Sequence, residues 1–275
     1  MIKLLILGPT GSMGKLITEL ALKDKEIEIV AACGIENIGT SLGSLVAMED
    51  PNHIDITSIE DLDEVILKTE PEVVVDFTLA KATENNCLIC LKRGVRCVIG
   101  TTALSKEFLL EFKNLVKEKN VPAVISPNMA TGMNVFFEIA KKLSRYLKDW
   151  DIELIEAHHH RKIDAPSGTA LKIGKLIGEA IDSDFEKIVK YGRNKGQNRR
   201  KIGAKNEIGM HSIRAGDIVG DHIVLYAGRG ERIELKHQAH NRYCFAEGAI
   251  KAIKFIAKAK ESKIYSTEEV LGLNK

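Results

Sequence analysis

The sequence predicts an α/β fold: a parallel sheet wound with helices in the first half, then an α+β region whose sheet is mixed or antiparallel. Three observations predict it. Short apolar, β-branched runs alternate with helical periodicities as far as Ser126. A glycine-rich turn separates the first run from the first helix. Beyond Pro127 the alternation ceases, and strand-like runs follow one another across glycine-containing turns.

The elements follow in order. Residues 3–7 are a short apolar strand, and residues 13–22 have the helical period. Residues 26–33 alternate and are β-branched, which predicts the second strand. Ser58 with Asp61 has the form of a capping box opening a helix that runs to Lys68. Then come a strand at 73–77, a helix at 81–93 stopped by Gly94, and a strand at 95–99. An amphipathic helix at 105–119 and a strand at 122–126 complete the series. Strands alternating with helices at this spacing imply parallel pairing through right-handed crossovers. After Pro127, a helix at 134–147 leads to a strand at 151–158 and a helix from Thr169. A polar, glycine-rich stretch spans 191–208. Residues 211–214, 222–227 and 232–238 then read as successive antiparallel strands. A last helix at 245–259 puts Phe245, Ala249, Ala252, Ile253 and Ile256 on one face.

A chain of 275 residues accommodates one large α/β domain or two smaller ones. Its 44% hydrophobic and 28% charged content is that of a globular protein. A net charge of +2 argues against bulk electrostatic binding to nucleic acid. The first apolar stretch, about six residues, is too short for a secretion signal. No apolar run approaches the ~20 residues that span a bilayer. The expectation is a cytoplasmic protein without a membrane or nucleic-acid partner. Five cysteines (Cys33, Cys87, Cys90, Cys97 and Cys244) are an odd number and read as free thiols. Cys87 and Cys90 form a CxxC, but they lie on a helical apolar stripe with no second CxxC. Core cysteines explain that better than a metal or redox site.

Gly8, Pro9, Thr10, Gly11, Ser12, Met13 and Gly14 lie directly between the first strand and the first helix. Glycines there allow a tight turn and let backbone N–H groups approach a pyrophosphate at a helix N-terminus. The spacing is GxxGxxG, so a plain strand–helix turn is the competing reading. With the parallel pattern around it, the loop predicts a Rossmann-type cofactor domain. An acidic residue about twenty positions on would hold the ribose hydroxyls of NAD. Gly34 stands at that count, with Glu36 two residues later. No Lys or Arg occurs between Glu26 and Leu67 to meet a 2′-phosphate, which tilts the choice between NADH and NADPH slightly towards NADH. Thr40, Ser41 and Lys15 are the groups that could still receive one.

The most informative stretch runs Glu156-Ala-His158-His159-His160-Arg161-Lys162-Ile-Asp164-Ala-Pro166-Ser167-Gly168-Thr169. If the strand continues, His158 and His160 share one face and His159 takes the other. Ser167, Gly168 and Thr169 open a helix and offer hydroxyl and backbone N–H donors. Together these suit carboxylate binding, with histidine and lysine as proton donors near neutral pH. Two alternatives compete. Metal ligation by His158 and His160 would draw a third ligand from His222, His237 or His240. A solvated basic face accounts for HHHRK alone, but not for the proline-set turn and anion-suited helix start that follow.

At these residues the chain resembles the 4-hydroxy-tetrahydrodipicolinate reductase (dihydrodipicolinate reductase) family. The segment EAHHHRKIDAPSGTA carries the resemblance, supported in order by GPTGSMG, VVVDFT, VIGTT, SPN, IRAGDIVGDH and GERIELKHQAHNR. It implies hydride transfer from a nicotinamide to a small dicarboxylate heterocycle in the diaminopimelate route to lysine. It implies His158 as proton donor, Lys162 as second acid and His159 in contact with substrate. Ser167, Gly168 and Thr169 would hold a substrate carboxylate. For the cofactor it implies Gly8, Pro9, Thr10, Gly11, Ser12 and Met13, with Gly100, Thr101 and Thr102. Ser126, Pro127, Asn128 and Met129 would join them, with Gly34 at the ribose position and Arg242 near the hinge. The implied plan is a cofactor domain of residues 1–128 completed by 243–275, and a substrate and oligomerisation domain of 129–242. Family members form homotetramers through the sheet of the second domain. Two positions depart from the family pattern: Gly34 replaces an acidic residue, and Asn128-Met129-Ala130 replaces Asn-Phe-Ser.

Lys190, Arg193, Lys195, Arg199, Arg200, Lys201 and Lys205 form a basic stretch without interleaved aromatics. It predicts a mobile loop near an anionic ligand, or a solvated loop, rather than a nucleic-acid platform. Two rival functions remain. A semialdehyde dehydrogenase would need a thiol nucleophile, and the cysteine positions do not suit one. A non-catalytic dinucleotide sensor would not need the histidine cluster.

Overall fold

A computed structural model describes residues 1–200 and 207–273. The chain divides into two compact units, residues 1–131 with 243–275, and residues 132–242. Residues 129–131 therefore go with the first unit.

The first unit begins with β1 (Ile2–Leu7), α1 (Ser12–Lys23), β2 (Ile27–Gly34), α2 (Leu42–Val46) and β3 (Ile56–Ser58). It continues through α3 (Leu62–Thr69), β4 (Val73–Asp76), α4 (Ala80–Lys92), β5 (Arg96–Ile99), α5 (Lys106–Lys119) and β6 (Ala123–Ile125). The strand order is β6-β5-β4-β1-β2-β3, parallel throughout. Both faces of such a sheet are covered, so its strands are continuous apolar runs rather than alternating ones. Side chains nonetheless alternate between faces. Leu4 and Ile6 enter one core with Ile17 of α1, whereas Leu5 and Leu7 enter the other with Cys87, Cys90 and Phe112 from α4 and α5. All four cysteines of residues 33–97 are buried free thiols, as the apolar stripe predicts.

Ser58 does cap, but not as expected. Its hydroxyl accepts from the Glu60 N–H and opens a 3₁₀ turn, Ile59–Asp61, so α3 starts only at Leu62. Asp61 is not the partner in a capping box. The short elements α2 and β3 were not predicted, being too brief to show a period.

The second unit contains α6 (Thr131–Tyr146), which starts one residue before it, and β7 (Asp151–His158), α7 (Gly168–Ala180) and α8 (Phe185–Ile188). It ends with β8 (Val189–Tyr191), β9 (Ile208–Arg214), β10 (Gly220–Ala227) and β11 (Arg232–Ala239). Its strand order is β11-β10-β7-β9-β8. β10 is antiparallel to β11, as expected, and also to β7. β9 is not: it lies parallel to β7 on the other side, and parallel to β8. The sheet is therefore mixed. Alternation along a strand gives the face of each residue, but not the neighbour it pairs with.

One face of this sheet grades along its length. Ile152, Leu154, Val224 and Tyr226 are buried at one end, and Tyr226 donates to the Ala140 carbonyl of α6 at 2.9 Å. At the other end the same face carries Glu156, His158 and His222, also buried.

The chain then returns to the first unit as α9 (Tyr243–Lys258), β12 (Ile264–Tyr265) and α10 (Thr267–Val270). Ala249, Ile253 and Ile256 of α9 join the core that holds Leu4 and Ile6, and β12 extends the parallel sheet beside β6. Among the described residues, no helix is long and apolar enough to cross a membrane.

Candidate active site

In the first unit, the expected cofactor residues gather at the C-terminal ends of neighbouring strands. Gly8 to Met13 follow β1, Gly34 ends β2, Gly100 to Thr102 follow β5, and Ser126 to Met129 follow β6. β2 lies on one side of β1 and β4 on the other, so the strand order reverses here, where open α/β sheets bind ligands.

The glycines have geometric reasons. Gly8 has φ +66°, and a Cβ on Gly14 would sit 2.1 Å from the Gly8 carbonyl oxygen. Helix and strand meet there more closely than any side chain allows. α1 starts from Gly11 with no side-chain cap and no acidic residue in its first turn, which leaves its positive end for an anion. These residues fit a dinucleotide pyrophosphate. Gly34 is buried, and a Cβ there would lie 3.4 Å from Pro9 Cδ. Ser41 is less free than its sequence suggests, because its hydroxyl caps α2 by accepting from Ser44 N–H.

Thr78 and Asp76, at the end of β4, went unassigned in the sequence although VVVDFT was visible. Asp76 is fully buried and accepts from Thr78 N–H and Thr78 Oγ1, each at 2.7 Å, and from Thr83 Oγ1 at 2.9 Å. Thr83 Oγ1 is also hydrogen-bonded to Thr101 Oγ1 at 2.8 Å. This hydroxyl network joins the turns after β4 and β5. Burial pushes the Asp76 carboxyl up, more than the Thr78, Thr83 and Cys87 hydrogen bonds pull it down.

Ser126 and Asn128 shape the turn after β6: Ser126 Oγ donates to the Asn128 carbonyl at 3.0 Å, and Asn128 Oδ1 accepts from Ala130 N–H at 3.0 Å. Met129 is 1% exposed and belongs to the core. Gly248 of α9 makes this possible, since a Cβ there would lie 1.8 Å from the Met129 carbonyl oxygen. Arg242 is not among these strand ends. It is the last residue of the second unit; the His159 pKa is lowered by burial first and then by neighbouring positive charges, Arg242 the least of them.

In the second unit the cluster grows from β-sheet register. Glu156 and His158 are two apart on β7 and share a face. On β9, Ser212 pairs with Glu156 and Arg214 with His158; on β10, His222 pairs with Glu156. Residues distant in sequence thus meet at one sheet end. Glu156 Oε2 contacts His158 Nδ1 at 2.5 Å and accepts from Arg214 at 2.9 Å. Its other oxygen, Oε1, accepts from Arg214 at 2.7 Å and from Ser167 N–H at 3.2 Å. Burial raises the Glu156 carboxyl, but hydrogen bonds from His158, Arg214 and Ser212 outweigh it and hold the pKa at about 2.

His222 shows the reverse. Burial, reinforced by the neighbouring His158, brings its pKa down to about 3, so it is neutral. Its ring lies edge-on to His158, centroids 5.3 Å apart, and its Nε2 is 3.3 Å from Ser167 Oγ. A Cβ on Gly220 would lie 3.2 Å from His158 Nε2, so glycine at this position leaves that nitrogen room.

The strand ends at His158, and the expected alternation stops with it. His159 and His160 belong to the following turn, where His160 Nδ1 is 2.9 Å from the Gly216 carbonyl oxygen. His158 and His160 therefore do not share a strand face, and among the described residues no three His, Cys, Asp or Glu side chains are grouped to hold a metal ion. Lys162 donates to Asp164 Oδ1 at 2.7 Å. Ser167 caps α7, its hydroxyl accepting from Ala170 N–H, while nothing lies within 4 Å of a Cβ built on Gly168. The helix start is open to a ligand at that point.

Two arginines of the basic stretch are held by ion pairs within their own unit. Arg193 pairs with Glu207 at 2.6 Å and Glu153 at 3.2 Å; Arg200 pairs with Glu153 at 2.6 Å and Asp151 at 2.8 Å. Glu153, an odd number of residues from Glu156, points to the opposite sheet face. These two arginines are taken by carboxylates of their own unit. Lys201 and Lys205 lie outside the described residues.

A wound parallel sheet with a glycine cradle, and a buried acid–base cluster in a second unit, are the parts of a pyridine-nucleotide-dependent oxidoreductase. Comparison with known proteins names the family. Residues 2–129 match the family profile described as dihydrodipicolinate reductase, N-terminus, and residues 132–271 match its C-terminus counterpart. The 4-hydroxy-tetrahydrodipicolinate reductase of Methanosarcina barkeri is 43% identical over 273 residues, covering 99% of this chain and 100% of the relative. That of Methanocaldococcus jannaschii is 43% identical over 277 residues, covering 100% of this chain and 98% of the relative. A solved structure, dipicolinate-bound dihydrodipicolinate reductase from Paenisporosarcina sp. TG-14, superposes with TM-score 0.78 at 28% identity, covering 98% of each chain. The chain belongs to the dihydrodipicolinate reductase family.

Proposed function

We propose that this protein reduces 4-hydroxy-tetrahydrodipicolinate to tetrahydrodipicolinate in the diaminopimelate route to lysine, with His158 and Lys162 as acids. One observation carries the reading: a buried histidine, held on a carboxylate, shares its sheet end with an open helix start built from Ser167 and Gly168. A dicarboxylate needs donors and positive charge, and adding a hydride with loss of the ring hydroxyl as water needs a proton.

The first unit holds NADH or NADPH through Gly8 to Met13, Gly34, Gly100 to Thr102, and Ser126 to Met129. When bound, the nicotinamide supplies the hydride. His158 donates a proton from Nε2, because Nδ1 faces Glu156. Lys162 serves as the second acid after exchanging Asp164 for a substrate carboxylate. Gly168 and Thr169 N–H groups, with the Ser167 hydroxyl, receive the other carboxylate, and His159 contacts substrate. Arg242 adds positive charge beside His159. The absence of Lys and Arg from Glu26 to Leu67, with Ser41 already capping a helix, favours NADH slightly over NADPH. A homotetramer is proposed through the outer face of the second sheet, where Ile155, Ile223 and Leu225 are half-buried.

The test follows nicotinamide absorbance with substrate generated in situ, NADH and NADPH side by side. Wild type should oxidise the cofactor. His158→Gln and Lys162→Ala should each lose about 100-fold or more in kcat while still binding NADH. Cofactor binding without oxidation by wild type would refute the reductase reading and favour a dinucleotide sensor.

A further inference from the structure

We propose that Glu156 is the positioning residue of the second unit, one buried carboxylate that orients the proton donor His158 and fixes the anion-binding turn at Ser167. The inference rests on the acid role proposed for His158.

The geometry leaves Glu156 little else to do. It is 0% exposed, and its two oxygens are shared among His158, Arg214, Ser167 and Ser212. Oε2 meets His158 Nδ1 at 2.5 Å; Oε1 meets Ser167 N–H at 3.2 Å; Arg214 bridges both, at 2.9 and 2.7 Å. Arg214 also donates to the Asp164 carbonyl at 2.6 Å, tying down the connecting loop. One carboxylate therefore sets the distance between the acid and the helix start.

Chemistry follows from which ring nitrogen is engaged. With Nδ1–H donated to Glu156, Nε2 is the nitrogen that exchanges a proton with substrate, on the side that Gly220 leaves open. In the protonated ring both nitrogens carry hydrogen. The Nε2 proton goes to substrate, the Nδ1 proton stays on the Glu156 bond, and solvent later restores the first. The groups facing His158 are Glu156 from β7, Arg214 from β9, His222 from β10, and His159 and Lys162 from the turn. Among the described residues, Glu156 is the one anion contacting the ring.

Glu156→Gln keeps the shape and removes the charge. It should lower kcat about 100-fold at neutral pH, leave the KM for NADH unchanged, and move the high-pH limb of kcat/KM to lower pH. Glu156→Asp keeps the charge and should restore the limb while recovering only part of kcat. A lost kcat with an unmoved limb would mean a merely structural role and overturn the proposal, as would a Gln variant with wild-type kinetics. A direct measurement needs no variant to fold: nitrogen-15 NMR of labelled histidine in the wild type, with His158→Gln assigning the signal. Neutral His158 with its proton on Nδ1 supports the proposal, and a proton on Nε2 refutes it. Full turnover by His158→Gln would instead refute the acid role itself, whatever tautomer the ring adopts.

Discussion

Asp76 and Glu156 are both carboxylates with no exposure, each at or near the C-terminal end of a central strand, yet their pKa values move in opposite directions. Asp76 is met by hydroxyls, a thiol and an N–H, which solvate it less well than water, and burial pushes its pKa up. Glu156 is met by a guanidinium and an imidazole, and its pKa falls to about 2 despite burial. Burial therefore does not decide the charge of a buried acid; the charge of its partners does. The first network organises the turns after β4 and β5 through hydroxyls and an N–H. The second concentrates charge beside the groups proposed to transfer protons.

The largest test of that contrast removes the cation. Arg214→Met leaves Glu156 buried with its main counter-charge gone, and should cost about 3–5 kcal/mol in urea unfolding. A cost below 1 kcal/mol would mean that His158 alone suffices.

The second test is the pH dependence of stability. Glu156 has a folded pKa below its unfolded value of 4.5, so its contribution is present above pH 4.5 and is lost as pH falls towards about 2. Asp76 has a folded pKa above its unfolded 3.8, so its contribution is present below that pH and is lost as pH rises through the folded value. In melts across this range, Glu156→Gln should flatten the acid limb by up to about 3 kcal/mol. Asp76→Asn should do the opposite, gaining on wild type as pH rises. Two variants with the same sign would break the comparison.

The smallest effect concerns space rather than charge. Gly220→Ala sets a methyl 3.2 Å from His158 Nε2. It should lower kcat/KM about tenfold with unfolding within about 1 kcal/mol of wild type and NADH affinity unchanged. Unaltered turnover would mean that substrate does not approach from that side.

What was legible divides along the same line. The cofactor half could be read because its logic is local: strand, glycine turn and helix are consecutive, and Gly8 and Gly14 belong to one turn. Ser167 was likewise legible as a helix cap. The histidine run pointed to proton transfer but was misread as geometry, because period-two alternation assumes a strand that in fact ends at His158. Arg214, Gly220 and His222 were visible only within the IRAGDIVGDH segment of the resemblance, which gave them no role, and the residues alone suggested for His222 only a metal ligand.

The sequence by itself determined the wound parallel sheet, the glycine cradle, the anion-suited start of α7 and the family resemblance, since each is written in residues a few positions apart. Only the tertiary structure decided that β9 joins β7 in parallel and that Glu156 binds His158, Arg214 and Ser167 together. Pairing between strands depends on register across the sheet, and a pattern within one strand fixes which face a residue takes without naming its partner.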